Sequence, residues 1–120
     1  MQYFNLLCAH ADKPSLYEFA EAFFDAMGIV DGQERESSNY IEGRYFKGSR
    51  DGAEFTVSLS DEEGNEDLPV WVQVAANLDA DGALDDALSC VIRERLLAAG
   101  FRVARMVNFG KRDEQRIDYA

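Results

Sequence analysis

Two stretches of strict alternation stand out along the chain. From Ala53 to Ser60, Phe55, Val57 and Leu59 alternate with Glu54, Thr56, Ser58 and Ser60. From Leu68 to Ala75, Val70, Val72 and Val74 face one way, and Trp71 and Gln73 the other. A period of two predicts strands with one face inward. A different period marks the first helix. Leu16, Phe19, Phe23 and Met27 recur at helical spacing with Ala20 and Ala26 beside them. Pro14 suits a first-turn position, Ser15 and Glu18 have the spacing of a capping box, and Gly28 is the expected C-cap. Tyr17 and Phe24 fall outside the stripe, either to pack beneath a neighbouring loop or to form an interaction patch.

The other elements follow from weaker patterns. Gln2 to Cys8 reads as a mostly buried strand. Asp31 to Ser38 (DGQERESS) reads as a polar connector. Asn39 to Lys47 reads as a strand, with Gly43 marking a bulge or a close backbone approach and GSRDG supplying the turn into the next strand. The DEEGNED segment (Asp61 to Asp67) becomes a hairpin tip if the two alternating strands pair. After a turn at Asn77 to Gly82, a second helix is expected from about Asp81. Leu84, Ala87, Leu88, Val91 and Leu96 form its apolar set, and Gly100 ends it. Phe101 to Phe109 predicts a further strand, and the tail GKRDEQRIDYA either adds a short strand or frays. The order β-α-β-β-β-α-β predicts a single α+β domain over residues 1–120, a mostly antiparallel sheet with two amphipathic helices on one face.

Composition narrows the class. A chain of 120 residues, 47% hydrophobic, can bury roughly 65% of its unfolded surface, so a real core is expected. No run reaches the length of a membrane span. The N-terminus, MQYFNLLCAHADKP, has neither the cationic region nor the apolar length of a signal peptide, which predicts the cytoplasm. Cys8 and Cys90, far apart in apolar surroundings, read as two buried thiols and not a disulfide.

Charge changes the picture most. The chain carries 23 carboxylates against 12 Lys and Arg, a formal net charge of -11. Residues 51–92 hold no cation and eleven acids: Asp51, Glu54, Asp61, Glu62, Glu63, Glu66, Asp67, Asp79, Asp81, Asp85 and Asp86. Nucleic acid and anionic membranes attract Lys and Arg, so neither is an expected partner. The surplus favours a cationic partner, or serves solubility alone. From Arg93 onward the sign shifts, because Arg93, Arg95, Arg102, Arg105, Lys111, Arg112 and Arg116 lie there. These cations either balance acids within the fold or make one pole of an electrically two-faced molecule.

No catalytic signature emerges. His10 and Cys8 would share a strand face, but no flanking motif supports a nucleophile and base. Zinc needs more Cys or His than the chain has, and the glycines form no phosphate loop. Read as calcium loops, Asp79 and Asp61 place Cys90 and Val72 where a bidentate glutamate belongs. No cofactor is expected.

The segments ESSNYIEGRYFKG (Glu36 to Gly48) and FTVSLSDEEGNEDLPVWVQV, with the later Asn108-Phe109-Gly110, resemble small cytoplasmic bacterial immunity proteins. These are the antidotes of contact-dependent growth-inhibition and related polymorphic toxin systems. The resemblance spans residues 36–110. It implies a non-catalytic, high-affinity inhibitor of a toxin domain, often a nuclease, whose cationic cleft accepts carboxylates in place of phosphates. The residues expected to meet it are Asp61, Glu62, Glu63, Glu66 and Asp67, then Asp79, Asp81, Asp85 and Asp86, with Trp71 as an apolar anchor. The alternative is a structural or regulatory subunit that binds through its aromatic and apolar surface.

Overall fold

The two alternating stretches become neighbours near the middle of the sheet. A computed structural model describes residues 2–13, 15–50, 52–60, 64–76, 89–109 and 111–119. Its strands are β1 (Gln2–His10), β2 (Gln33–Glu36), β3 (Arg44–Arg50), β4 (Ala53–Leu59), β5 (Val70–Ala76), β6 (Phe101–Val107) and β7 (Gln115–Asp118). They hydrogen-bond in the order β2-β3-β4-β5-β1-β6-β7, each neighbouring pair antiparallel. The fold is a single α+β domain with helices on one face of an antiparallel sheet, as the polarity pattern predicts.

Register explains the core. Phe4, Leu6 and Cys8 stand opposite Val74, Val72 and Val70, and these stand opposite Phe55, Val57 and Leu59 on β4. All belong to one apolar layer under α1 (Leu16–Met27), which contributes Leu16, Phe19, Ala20, Phe23, Phe24 and Met27. Phe23 is the hub, with ring centroids 6.1 Å from Phe19 and Phe55, 5.9 Å from Phe24 and 6.3 Å from Phe101. The caps fall where the sequence places them. Ser15 Oγ accepts from Glu18 N at 3.1 Å, and Gly28 closes the helix in the left-handed conformation, φ 72°. Arg50 donates to the Met27 carbonyl and Arg95 to the Ala26 carbonyl, so two cations meet the negative end of the helix.

Three expectations change, and one of the two outcomes open for the tail is realised. Gln33–Glu36, within the expected connector, is an edge strand paired with β3. All four of its residues are exposed, so no apolar alternation announces it. The expected strand at Asn39 to Lys47 begins only at Arg44, after a 3-10 turn at Ile41–Gly43, and runs on to Arg50 through most of the expected turn. Glu42 and Gly43 take φ values of 61° and 73° there, so the glycine serves a turn and not a bulge. Gln115–Asp118 of the tail is a strand. The second helix is described only from residue 89 and is wound as a π-helix over Ile92–Leu97, with Ile92 and Leu96 buried. Its expected start near Asp81 lies outside the described residues.

The opposite sheet face has a smaller cluster: Leu7, Leu68, Ala104 and Met106 are buried, with Trp71, Ala9 and Phe109 packed against them. Cys8 lies in the main core, but Cys90 is exposed, which corrects the expectation of two buried thiols. Both are free. Among the described residues, no helix is long and apolar enough to cross a membrane.

Candidate functional site

Of the residues expected to meet a partner, Glu66, Asp67 and Trp71 are described, whereas Asp61, Glu62, Glu63, Asp79, Asp81, Asp85 and Asp86 lie outside the described residues. Asp67 is already occupied. Arg116 on β7 donates to both of its carboxylate oxygens, at 2.9 Å each, and Arg102 on β6 adds a bond at 3.0 Å. Arg116 also reaches Asn65 Oδ1 at 3.1 Å and Asp118 at 2.6 Å. A planar guanidinium suits this fork geometry. Arg116, and after it Arg102, holds the Asp67 carboxyl well below the usual carboxylate range, and Asp67 raises Arg116 further. Asp67 thus ties the β4–β5 hairpin to the β7 edge, and its charge is neutralised within the molecule.

Glu66 is exposed, and its Oε1 accepts from Gly64 N at 3.2 Å. Its own backbone N–H and that of Gly64 lower its pKa. Trp71 is half-buried. Its indole Nε1 donates to Asn5 Oδ1 at 2.9 Å and its ring lies 5.7 Å from that of Phe109. It packs against the smaller apolar cluster on this sheet face.

The cations are largely spoken for. Arg44 and Lys47 pair with Glu34 and Glu54, at 3.5 and 3.6 Å. Arg93 lies over Tyr119, and Arg105 over Phe4 at 4.3 Å. With Arg50, Arg95, Arg102 and Arg116, at least eight of the twelve cationic side chains are engaged inside the fold. Acids take up less of this: on α1, Glu21 and Asp25 are exposed and form no ion pair among the described residues.

Those two carboxylates border a groove of about 310 Å³ between α1 and the β2–β3 edge. Phe24 and Phe46, nearly buried, form its floor. Tyr17, 55% exposed, and Val30, 98% exposed, stand at its rim with Glu34. The two off-stripe aromatics differ in their surroundings. Phe24 packs beneath the connector at Gly32, while Tyr17 stays open to solvent with its ring 6.1 Å from Phe46. Glu21, Asp25 and Glu34 belong to no motif or charge run in the sequence. The available signal was a carboxylate in the last turn of a helix, where a cation is favoured.

Cys8 is buried in the main core, and His10 is hydrogen-bonded to other groups. His10 Nδ1 accepts from Asp12 N at 3.2 Å, which leaves Nε2 to donate to the Ala99 carbonyl at 2.9 Å. Burial pushes the Cys8 thiol up. Among the described residues, no three His, Cys, Asp or Glu side chains gather so as to hold a metal ion. The chain matches no protein-family model, no curated protein and no solved structure at significant similarity.

Proposed function

We propose that this protein is an immunity protein, a non-catalytic antidote that binds a cognate cationic toxin domain, in particular an RNase or DNase, and neutralises it. The observation that carries the reading is the unequal use of charge. The cations hold helix ends, loops and aromatic faces of the fold itself, so the surplus of -11 falls to carboxylates at the surface. Such a surface steers a cationic partner into contact and repels nucleic acid, the partner's own substrate. Glu62, Glu63 and Glu66 are the first contacts to test, with Trp71 as apolar support; Asp67 acts by anchoring the loop that bears them. The toxin is sought in the reading frame beside this gene.

The test is to mix the purified protein with that toxin domain and measure both inhibition and association rate. Inhibition should be stoichiometric, and association should slow by about an order of magnitude or more between low and high salt. Lysine at positions 62, 63 and 66 should slow it at low salt as well. Full toxin activity in the presence of excess protein ends the proposal. A second reading rests on the stacked rings of Tyr40 and Tyr45, 4.4 Å apart, and on Tyr3, 60% exposed. These suit a structural or regulatory subunit that binds through aromatic surface, and salt-insensitive association would favour it.

A further inference from the structure

We infer that the groove between α1 and the β2–β3 edge is a docking site for an arginine-bearing, extended segment of a partner protein. The inference rests on the preceding reading in one respect, that the partner is a cationic protein, and adds where and how part of it is held. This groove is at the opposite edge of the sheet from β7, where Arg116 neutralises Asp67.

Three features point to this occupant. The groove has a nearly buried floor of Phe24 and Phe46, above which Tyr17 and Val30 stay uncovered on an otherwise well-packed face. Its rim is acidic, with Glu21, Asp25 and Glu34: Glu34 pairs with Arg44 at 3.5 Å, whereas Glu21 and Asp25, which share a neighbouring concavity with Lys13, form no ion pair among the described residues. An arginine matches both at once: its stem and planar guanidinium lie on aromatic rings, and its N–H groups reach carboxylates. The third feature is rigidity. Asp31 accepts from Ser49 N at 2.7 Å and Ser49 Oγ at 2.5 Å, and Gly48 admits Ile29, which would meet a Cβ there at 2.6 Å. The connector that forms one wall is therefore fastened to β3 before any ligand arrives, which lowers the ordering cost of binding.

The rim also works against stability. Glu21 and Asp25 are one turn apart on the same helix, where like charges repel, and Asp25 sits in the last turn against the macrodipole. A role in packing would not favour these residues. Beside the groove, β2 has one side paired with β3 and the other at the sheet edge, a place for an added strand.

The test is a titration of the isotopically labelled full chain, followed by backbone amide shifts, with the blocked peptide Val-Arg-Val-Arg. Shifts should saturate and centre on Tyr17, Glu21, Phe24, Gly32 and Glu34. Replacing arginine by citrulline should weaken binding about five- to tenfold, as should the double variant Glu21→Gln/Asp25→Asn. That variant should also melt at a slightly higher temperature, which a merely structural role for the two acids does not predict. Tyr17→Ala, at an exposed position, should weaken binding with little change in stability. Absent or non-saturating shifts, shifts spread over the acidic surface, or equal binding of the citrulline peptide would each overturn the inference. Its failure is separable from that of the immunity reading. Toxin inhibition unaffected by Glu21→Gln/Asp25→Asn, with no peptide bound, sinks the groove alone; specific peptide binding without any toxin inhibition sinks the antidote role alone.

Discussion

Gly32 shows how much one missing methyl group can decide. A Cβ there would come within 2.4 Å of Phe24 Cδ2, so only glycine lets the connector lie flat on the ring. Gly32→Ala should cost roughly 1–3 kcal/mol through overpacking, measured by urea unfolding, and should disturb the groove floor. Phe23, 1% exposed among four other rings, is the more severe position, and Phe23→Ala should cost about 3–5 kcal/mol. Charge gives a third test. Asp67 and Asp31 are both held below their ordinary values when folded, by Arg116 and by Ser49 respectively. The unfolded chain then takes up protons first as pH falls. The stability these carboxylates contribute is whole above the unfolded value of about 3.9 and is lost as pH drops through it toward the folded values. Asp67→Asn removes its share. The gap in urea midpoint between wild type and variant should therefore be widest near neutrality and narrow steadily below about pH 4.

At the scale of elements, α1 is secured at both ends by contacts of different kinds. Ser15 satisfies an amide at its start, and Arg50 and Arg95 meet carbonyls at its finish. Ser15→Ala should cost about 1 kcal/mol, and amide exchange should show the first turn fraying before the last. This helix was legible in the sequence because its stripe, cap residues and terminal glycine all agree. The strands β4 and β5 were legible for the same reason, although Ser58, on the outward set of β4, is buried opposite Trp71. β2 was not. Gln33, Glu34, Arg35 and Glu36 carry no apolar signal, and only pairing with Arg44 to Lys47 makes them a strand. The start of β3 was hidden by Glu42 and Gly43, whose positive φ values turn the chain where aromatic residues suggested extension.

For the whole molecule, the sequence disclosed the sign of the surface better than the partners of each charge. A count shows that acids outnumber bases; it cannot show that Asp67 finds Arg102 and Arg116, 35 and 49 positions away. Nor could it show that Glu21 and Asp25, a helical turn apart, would border a groove closed by Gly32 and Phe46 from later in the chain. Arg116→Gln should loosen the hairpin from the β7 edge, so that a glutamate-specific protease cuts between residues 60 and 69 faster than in the wild type. The sheet order also has a bearing on how this protein is made. β1 precedes the other described strands, yet its two neighbours are β5 and β6, so it waits for Ala76 before it can pair on one side and for Val107 before it can pair on both. The β3–β4–β5 meander can assemble during synthesis, but the centre of the sheet closes only once β6 has been translated. A nascent chain stalled at residue 100 should remain protease-sensitive, and a cell relying on this protein gains nothing from a partly synthesised copy.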